Sequence, residues 1–288
     1  MAPKVAIVTD SNSGITQAQG KELGVFVLPM PFVIGENTYY EDVSLSQAEF
    51  YEKLADGVEV STSQPLVGDL LSLWDGVLRE YDELVHIPMS SGLSGSCATA
   101  LALSQDYDGR VCVVNNQRIS VTQRQSVLDA LALARAGRPA AKIARLLEET
   151  RFDSSIYIML DTLKYLKKGG RVTPAAAAIA TVLKIRPVLQ IQGEKLDAFA
   201  KARSEKLGRE IMIEAMRRDI DERFGGMDQV RVFVAHTDNA AAAADFADTV
   251  RAAFGLEEVH IDPLSLSVSC HIGPGALAIA CSKKLAGI

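Results

Sequence analysis

The stretch ELVHIPMSSGLSGSCATALAL, residues 83–103, places a β-strand pattern, a serine- and glycine-rich turn and a helix pattern in direct succession. Its first residues are apolar and partly β-branched, whereas its last residues are rich in alanine and leucine. A strand that leads straight into a helix is the repeating unit of a parallel α/β sheet, because parallel strands need a crossover connection. The stretch therefore predicts such a sheet, with a turn at residues 90–96.

The same order of patterns recurs on both sides of this stretch. VAIVT at residues 5–9 leads into the turn DSNSG, and RVCVV at 110–114 precedes two helix patterns at about 120–136 and 139–151. Strands that alternate with helices in this way are typical of a parallel sheet. We therefore predict an α/β domain over residues 1–155.

The second half of the chain has a different pattern. SIYIML at residues 155–160 predicts a strand, and PVLQIQGEKLDAFA at 187–200 predicts a β-hairpin that turns at Gly193. A long helix pattern over about residues 204–223 follows, and further strands and helices complete the chain. This mixture predicts a second, α+β domain over residues 156–288.

Three local patterns refine the first half. GVFVLPMPFVI at residues 24–34 reads as one extended run, whose prolines indicate an edge or a bend. Ser46 begins a helix pattern, with Glu49 placed as its capping-box partner. The next helix is expected to bury one face. That face consists of Leu66, Leu70, Leu73, Trp74 and Val77.

Composition and charge exclude several classes of protein. The chain has 288 residues, of which 48% are hydrophobic and 23% charged, so it can bury a full core. Aromatic residues make up only 6%, and the net charge is -6. Nucleic-acid binding is therefore not expected, because it usually needs a basic surface and stacking side chains. Residues 156–288 carry 18 basic against 16 acidic residues, which favours this half for contact with an anion.

The cysteines and the N-terminus predict a cytoplasmic protein. Cys97, Cys112, Cys270 and Cys281 stand singly, without the spacing of a metal site or a disulfide framework. MAPKVAIVTD has no apolar stretch of the kind found in secretory signals. Two charge-poor stretches are interrupted by serine, glycine and proline, so no transmembrane segment is expected. This expectation leaves transient membrane contact open.

Three hydroxyl-rich segments follow predicted strands: DSNSG at residues 10–14, STSQP at 61–65 and SSGLSGS at 90–96. In a parallel sheet, the loops that follow the strands meet at the carboxyl edge. Hydroxyls and helix N-terminal amides gathered there suit a small anion such as a carboxylate or a phosphate. Alternatively, the same residues act only as helix caps and turn residues.

Ser94 also raises the alternative of a serine acyl-hydrolase. It lies between glycines on a strand-to-helix turn, but the second glycine comes one residue too early for a nucleophile elbow. A catalytic triad also needs a histidine. Of the four histidines in the chain, His271 is the strongest candidate for that base.

His271 lies in the segment HIGPG, where two glycines and a proline predict an irregular backbone close to a ligand. Its imidazole can donate to a carboxylate, which would raise its pKa. His86 and His260 lie inside strand patterns and are expected to have no special role. His236, which precedes TDN, is open to either interpretation.

A basic segment, KYLKKGGRV at residues 164–172, is interpreted in two ways. It is either a helix end with cations near its carboxyl terminus or a docking surface for an acidic or phosphorylated partner. Its cations are Lys164, Lys167, Lys168 and Arg171. An alanine-rich helix pattern follows from Pro174. Arg186 and Arg203 either approach an anion or lie on the surface.

Together these motifs resemble the DegV family, the bacterial fatty-acid-binding proteins also called FakB. The resemblance rests on TDS, STSQP, SSGLSGS, LKKGGRV, the RPVL and KAR segments and HIGPGAL, which occur in this order between residues 9 and 277. It implies a two-domain DegV-like α/β fold. It also implies one bound long-chain fatty acid, with its carboxylate at the domain junction and its tail buried.

The resemblance also implies roles for particular residues. Thr62, Ser94 and His271 would bind the carboxylate, with Arg203 nearby. Further loop contacts are expected from Ser11, Ser63, Gly95 and Gly273. Arg171, together with Lys167 and Lys168, would face a partner.

By the same resemblance, that partner would be a separate fatty-acid kinase, which makes an acyl phosphate for phospholipid synthesis. The chain itself is then a lipid carrier with no catalytic residue, no metal and no cofactor besides the bound acid. This chain departs from the family pattern at Ser269, Ala278 and Arg186, and these departures bear on selectivity for the acyl chain.

Overall fold

The computed structural model describes residues 2–162, 164–166, 171–179 and 185–285, and the chain divides into two compact units. The first unit comprises Met1–Arg151, Ser265–Ser267 and Leu285–Ile288, and the second comprises Phe152–Leu264 and Val268–Lys284. The division differs from the expected one at its edges. For example, Ser154 and Ser155 are paired with Ser282 and Cys281, which ties them to the second unit.

The first unit is built on the parallel sheet that the sequence predicts. Its elements are β1 (Val5–Asp10), α1 (Gln17–Leu23), β2 (Val25–Leu28), β3 (Pro31–Ile34), β4 (Asn37–Tyr40), α2 (Gln47–Ala55), β5 (Val60–Thr62), α3 (Val67–Val77), β6 (Glu83–Ile87), α4 (Ser96–Leu103), β7 (Val111–Val113), α5 (Ser120–Arg135) and α6 (Ala140–Glu149). The strand order is β2-β1-β6-β7, and every neighbouring pair is parallel.

Alternating side chains of this sheet bury two hydrophobic layers. Ile7 of β1 packs in one cluster with residues of α5 and α6, such as Val127 and Ile143. Val8 points to the opposite face, where it shares a cluster with Trp74 of α3. Because successive strand residues point to opposite faces, helices cover both sides of the sheet.

The extended run at residues 24–34 forms two strands in two different sheets. β2 is an edge strand of the parallel sheet, whereas β3 is the centre of a separate antiparallel sheet with the order β4-β3-β5. Pro31 is the first residue of β3, a position at which proline is tolerated within a sheet. The prolines thus indicate the bend correctly, but the second sheet was not predicted.

Two local expectations for the helices have different outcomes. The capping box of α2 is confirmed, because Ser46 and Glu49 exchange the two expected hydrogen bonds. Leu66 was wrongly placed on the buried face of α3: it precedes the helix and is 60% exposed. Trp74 and Val77 are buried as expected.

The second unit contains a mixed six-stranded sheet, in agreement with the expected α+β class. The elements from Phe152 onward are β8 (Ser154–Met159), α7 (Pro174–Ile179), β9 (Arg186–Ile191), β10 (Asp197–Ala202), α8 (Glu205–Asp219), β11 (Val230–His236), α9 (Ala240–Phe254), β12 (His260–Pro263), α10 (Leu266–Ile272) and β13 (Leu277–Lys283). The strand order is β10-β9-β8-β13-β11-β12, and among these strands only β11 and β12 pair in parallel.

Local patterns in the second half predict most of these elements. The hairpin expected at residues 187–200 is formed by β9 and β10. The long helix consists of α8 and a π-helical turn, Ile220–Phe224. The basic segment before Pro174 lies partly outside the described residues, which omit 163 and 167–170.

Gly208 allows α8 to lie close against the sheet. A Cβ atom at this position would lie 2.2 Å from Sδ of Met159, which is 1% exposed, and 3.5 Å from Cβ of Ala202. A methyl group therefore does not fit unless buried side chains move.

We expect Gly208→Ala to destabilise the protein by about 1–3 kcal/mol, because it overpacks a buried contact. Gly76→Ala in α3 is the matched control, since its Cβ meets no atom within 4 Å. The control should stabilise the protein by up to about 1 kcal/mol, through helix propensity alone. Thermal unfolding measures both changes, and equal melting temperatures for the two variants would contradict the packing argument.

Candidate ligand-binding site

The strand order of the first unit creates a crevice at the carboxyl ends of β1 and β6. The chain passes from β1 to β2 on one side, whereas β6 and β7 lie on the other side. Ligands of open α/β sheets usually bind outside the point where the order reverses in this way. DSNSG follows β1 and SSGLSGS follows β6, so two of the three hydroxyl-rich segments lie at this point.

Asp10 connects these two strand ends. One of its carboxylate oxygens, Oδ2, accepts the backbone N–H of Met89 at 2.8 Å. The other, Oδ1, accepts Nε2 of Gln123 at 3.1 Å and the backbone N–H of Asn12 at 3.0 Å. Asp10 is 1% exposed, and burial raises its pKa although these hydrogen bonds oppose the rise. Sequence reasoning missed Gln123, because the residue is more than a hundred positions away.

Ser11 and Glu41 form a second buried contact of the same segment. The hydroxyl of Ser11 donates to Oε2 of Glu41 at 2.7 Å and accepts the backbone N–H of Met30 at 3.1 Å. Oε1 of Glu41 accepts the backbone N–H of Leu266 at 2.6 Å. Burial raises the pKa of Glu41 to about 7, and the nearby charges of Asp10 and Asp42 add to the rise.

Asn12 connects the segment to Ser265 and Ser267. Its Oδ1 accepts the hydroxyl of Ser265 at 2.9 Å and that of Ser267, while its Nδ2 lies 3.1 Å from Sδ of Met89. These contacts explain why Ser265–Ser267 belong to the first unit. The polar groups of DSNSG are thus largely engaged inside the protein, as the turn-residue alternative expects.

STSQP approaches SSGLSGS by a different route than the sequence suggested. Thr62 ends β5, where it pairs with Phe32, so STSQP follows a strand of the antiparallel sheet and not of the parallel one. Oε1 of Gln64 accepts the hydroxyl of Thr99 at 3.1 Å. A Cβ atom on Gly95 would lie 3.3 Å from the same oxygen. Gln64 therefore brings the segment of Thr62 next to that of Ser94.

Ser94 has the geometry of a turn residue at a helix start. Its hydroxyl accepts the backbone N–H of Ser96 at 3.2 Å, and its own N–H donates to Ser90. The only histidine in the sequence of the first unit is His86, and neither of its ring nitrogens has a hydrogen-bond partner among the described residues. Within this unit no imidazole activates Ser94, and the acyl-hydrolase alternative is not favoured.

A cleft lies between these segments. Its enclosed volume is about 10 Å³, room for about one water molecule. Its wall combines apolar side chains with polar ones from all three hydroxyl-rich segments. The residues that line the cleft include Leu28, Leu70, Asp10, Gln64, His86 and Ser96. The first unit thus offers a partly apolar cleft beside Ser94.

His271 lies in the last turn of α10 in the second unit and is half-buried. Burial and, to a lesser degree, the positive charge of Arg171 lower its pKa to about 4, so the imidazole is neutral at pH 7. The lowered pKa of His271 is opposite to the raised pKa that a neighbouring carboxylate is expected to cause. It also shows that Arg171 lies close enough to influence His271.

The loop after His271 has the irregular backbone that its glycines predict. Gly273 has a φ of 76°, and a Cβ atom there would lie 2.3 Å from the ring of Tyr165. The hydroxyl of Thr237 donates to the carbonyl of Gly273 at 2.6 Å. Nδ1 of His236 accepts the backbone N–H of Asn239. The side-chain Nδ2 of Asn239 donates to the carbonyl of Gly275. His236 therefore supports this loop.

The remaining expected site residues of the second unit are basic. Arg171 is exposed, and Arg203 is exposed on the turn between β10 and α8. Arg186 forms an ion pair with Asp161. Lys167 and Lys168 lie outside the described residues.

The other two departures from the family pattern are buried. Ser269 lies within α10, and Ala278 lies in β13 between Ile158 and Ala235 of the neighbouring strands. Ala278 is thus an interior strand residue of the sheet.

The described part of the chain contains neither a candidate metal cluster nor a candidate membrane span. No group of three or more histidine, cysteine, aspartate or glutamate residues there has the arrangement of a metal site. No helix in the same part is both long enough and apolar enough to cross a bilayer.

Comparison with known proteins identifies the class of protein that this fold and crevice define. The family model described as "Uncharacterised protein, DegV family" matches residues 4–284. A DegV domain-containing protein from Halalkalibacterium halodurans is 30% identical over 280 residues, which cover 96% of this chain and 98% of the relative. The chain belongs to the DegV family.

Solved structures agree with this assignment. A DegV family protein from Thermus thermophilus, whose structure concerns fatty acid binding, has a TM-score of 0.89 and 29% identity, with 98% of this chain and 100% of that chain covered. DegV from Bacillus subtilis, described as a fatty acid binding protein, has a TM-score of 0.85 and 28% identity at the same coverage. The expected DegV-like fold is confirmed.

The raised pKa of Glu41 predicts how stability depends on pH. Between its ordinary value of 4.5 and about 7, the folded protein holds a proton that the unfolded chain has lost, so the wild type loses stability as the pH rises through this window. Glu41→Gln removes that loss. Relative to wild type, the variant should become more stable from pH 5 to pH 8 by an amount on the order of 3 kcal/mol.

Urea unfolding at several pH values measures this difference. Glu36→Gln, at an exposed turn position, is the control for the loss of one carboxylate. A difference between Glu41→Gln and wild type that does not change with pH would show that Glu41 titrates normally.

Proposed function

We propose that this protein binds a long-chain fatty acid, with its tail buried and its carboxylate held by Thr62, Ser94 and His271, with Arg203 nearby. The observation that carries the proposal is the partly apolar cleft beside Ser94, in a fold shared with two fatty-acid-binding relatives. Ser63, Gly95, Gly273 and Ser11 remain proposed loop contacts. In the structure, the hydroxyl of Ser11 is engaged with Glu41.

The tail supplies most of the affinity in this proposal. Each buried methylene contributes about 0.8 kcal/mol, so a chain of about 16 carbons gains on the order of 10 kcal/mol before the costs of ordering. With about 10 Å³ of enclosed space, the cleft is far smaller in this structure than a ligand pocket. A complete acyl chain therefore requires movement of lining side chains such as Leu70.

The carboxylate requires hydrogen-bond donors, because an unpaired buried charge is strongly unfavourable. Thr62 and Ser94 are half-buried, and each side chain carries a hydroxyl group, which is a hydrogen-bond donor. The neutral imidazole of His271 carries one N–H donor. A bound carboxylate would favour the protonated imidazole and so raise the pKa of His271 from about 4.

The second part of the proposal concerns a partner. The protein acts as a cytoplasmic, non-catalytic carrier that presents its fatty acid to a separate fatty-acid kinase, which forms the acyl phosphate. Arg171 is exposed, and its positive charge contributes to the lowered pKa of His271. An arginine in this position suits a phosphorylated or acidic surface of the partner. The serine acyl-hydrolase alternative has weaker support, because the hydroxyl of Ser94 accepts a backbone N–H at the start of α4.

The first test is the identity of the ligand and the role of Thr62. Mass spectrometry of an organic extract of the purified protein should show a fatty acid at about one per chain. Thr62→Val should weaken fatty-acid binding about tenfold, because one hydrogen bond to a charged group is lost. Thr38→Val, on an exposed position of β4 in the same small sheet, is the matched control.

An extract free of lipid, together with failure of added fatty acid to bind, would overturn the proposed function. Turnover of an ester by the wild type that disappears in Ser94→Ala would instead support the hydrolase.

The second test addresses presentation to the kinase. Arg171→Glu should lower the rate of acyl-phosphate formation by a purified fatty-acid kinase about tenfold or more, because a charge reversal at an interface is repulsive. Fatty-acid binding should remain close to wild type. Lys206→Glu, an exposed charge reversal on α8, is the control. Wild-type phosphorylation of the Arg171→Glu protein would refute the docking role.

A further inference from the structure

His86 is a buried polar residue of the cleft. It lies in β6, is 2% exposed, and its ring packs edge-on against Trp74 with 5.6 Å between the ring centres. Neither Nδ1 nor Nε2 has a hydrogen-bond partner among the described residues. Sequence reasoning expected no special role for this residue, because it continues an apolar strand.

Ser96 supplies a second unpartnered group in the same place. It is 8% exposed at the start of α4, and its hydroxyl also lacks a hydrogen-bond partner within the described part of the chain. Both Ser96 and His86 line the cleft. The other polar side chains of the cleft are engaged: Asp10 with Met89, and Gln64 with Thr99.

Such an arrangement is costly unless something else provides the hydrogen bonds. An unsatisfied buried polar group costs about 1–3 kcal/mol, and a leucine would pack in the place of an imidazole without that cost. Burial lowers the pKa of His86 to about 3, so its ring is neutral at pH 7. A neutral imidazole needs one hydrogen-bond donor and one acceptor as partners.

We propose that the cleft selects fatty acids whose chain carries a hydroxyl group, and that His86 and Ser96 bind this group. This inference rests on the proposed function and specifies the class of acyl chain. A hydroxyl both donates and accepts, so it satisfies a neutral imidazole and a serine hydroxyl together. A plain methylene chain in the same place leaves both unpaired.

The selectivity follows from this difference. A site built to hydrogen-bond a ligand hydroxyl discriminates strongly against the analogue that lacks it, because the polar groups of the site are then left unpaired. Accordingly, His86 is a specificity-determining residue for the tail and takes no part in carboxylate binding.

The test uses the full-length, delipidated protein and a set of ligands matched in chain length. They are octadecanoic acid and hydroxyoctadecanoic acids with the hydroxyl at successive positions along the chain. At least one hydroxy acid should bind about tenfold tighter than octadecanoic acid or better. His86→Leu should abolish this preference while octadecanoic acid binds at least as tightly as to wild type.

Two further variants complete the experiment. Ser96→Ala should reduce the preference part of the way. His260→Leu, an exposed histidine of the second unit, should leave it unchanged. Because His86→Leu removes an unpaired polar group, its melting temperature should not fall, which makes its binding data interpretable.

Three results would overturn the inference. The first is equal or weaker binding of every hydroxy acid, as expected if ordered water serves His86. The second is a preference for a hydroxy acid that persists in His86→Leu. The third is an equal loss of affinity for all the acids in that variant, as expected if His86 binds the carboxylate. Failure of every acid to bind the wild type would instead overturn the proposed function.

Discussion

The buried carboxylate of Asp10 is the constraint on which the first unit depends. It joins the end of β1 to the N–H of Met89, which follows β6, and to Gln123 in the first turn of α5. The ends of the two central strands and the start of a covering helix are thus held together. A buried carboxylate persists only if its oxygens are hydrogen-bonded, and here both are. The next residues, Ser11 and Asn12, form hydrogen bonds with Glu41, Ser265 and Ser267.

The cleft departs from ordinary packing in a way that suits binding. Around it the sheet faces are covered by apolar side chains. Inside it His86 and Ser96 have polar atoms that form no hydrogen bond with any described residue, which stability alone would not favour. Proteins commonly retain such local costs where a ligand removes them. The same cleft is partly apolar, which fits the tail of an amphipathic ligand.

Sequence reasoning succeeded where neighbouring residues decide the structure. The capping box of Ser46 and Glu49, the hairpin of β9 and β10 and the irregular backbone at Gly273 all follow from residues close together in the chain. It failed where distant segments decide. Leu66 has the spacing of a buried residue but precedes the helix, and the run at 24–34 divides because β3 pairs with β4 and β5 instead of the parallel sheet. Glu41 and Gln123 had no local pattern that could mark them.

By itself, the sequence determined the alternation of strands and helices, the class of each half and the family to which the chain belongs. These properties depend on hydrophobic periodicity and on turn residues, which act over short distances along the chain. Only the tertiary structure decided which polar side chains are satisfied and which face the cleft. That choice depends on pairs such as Asp10 with Gln123 and Thr99 with Gln64, whose members are far apart in the chain and meet only when the sheet and its helices are assembled.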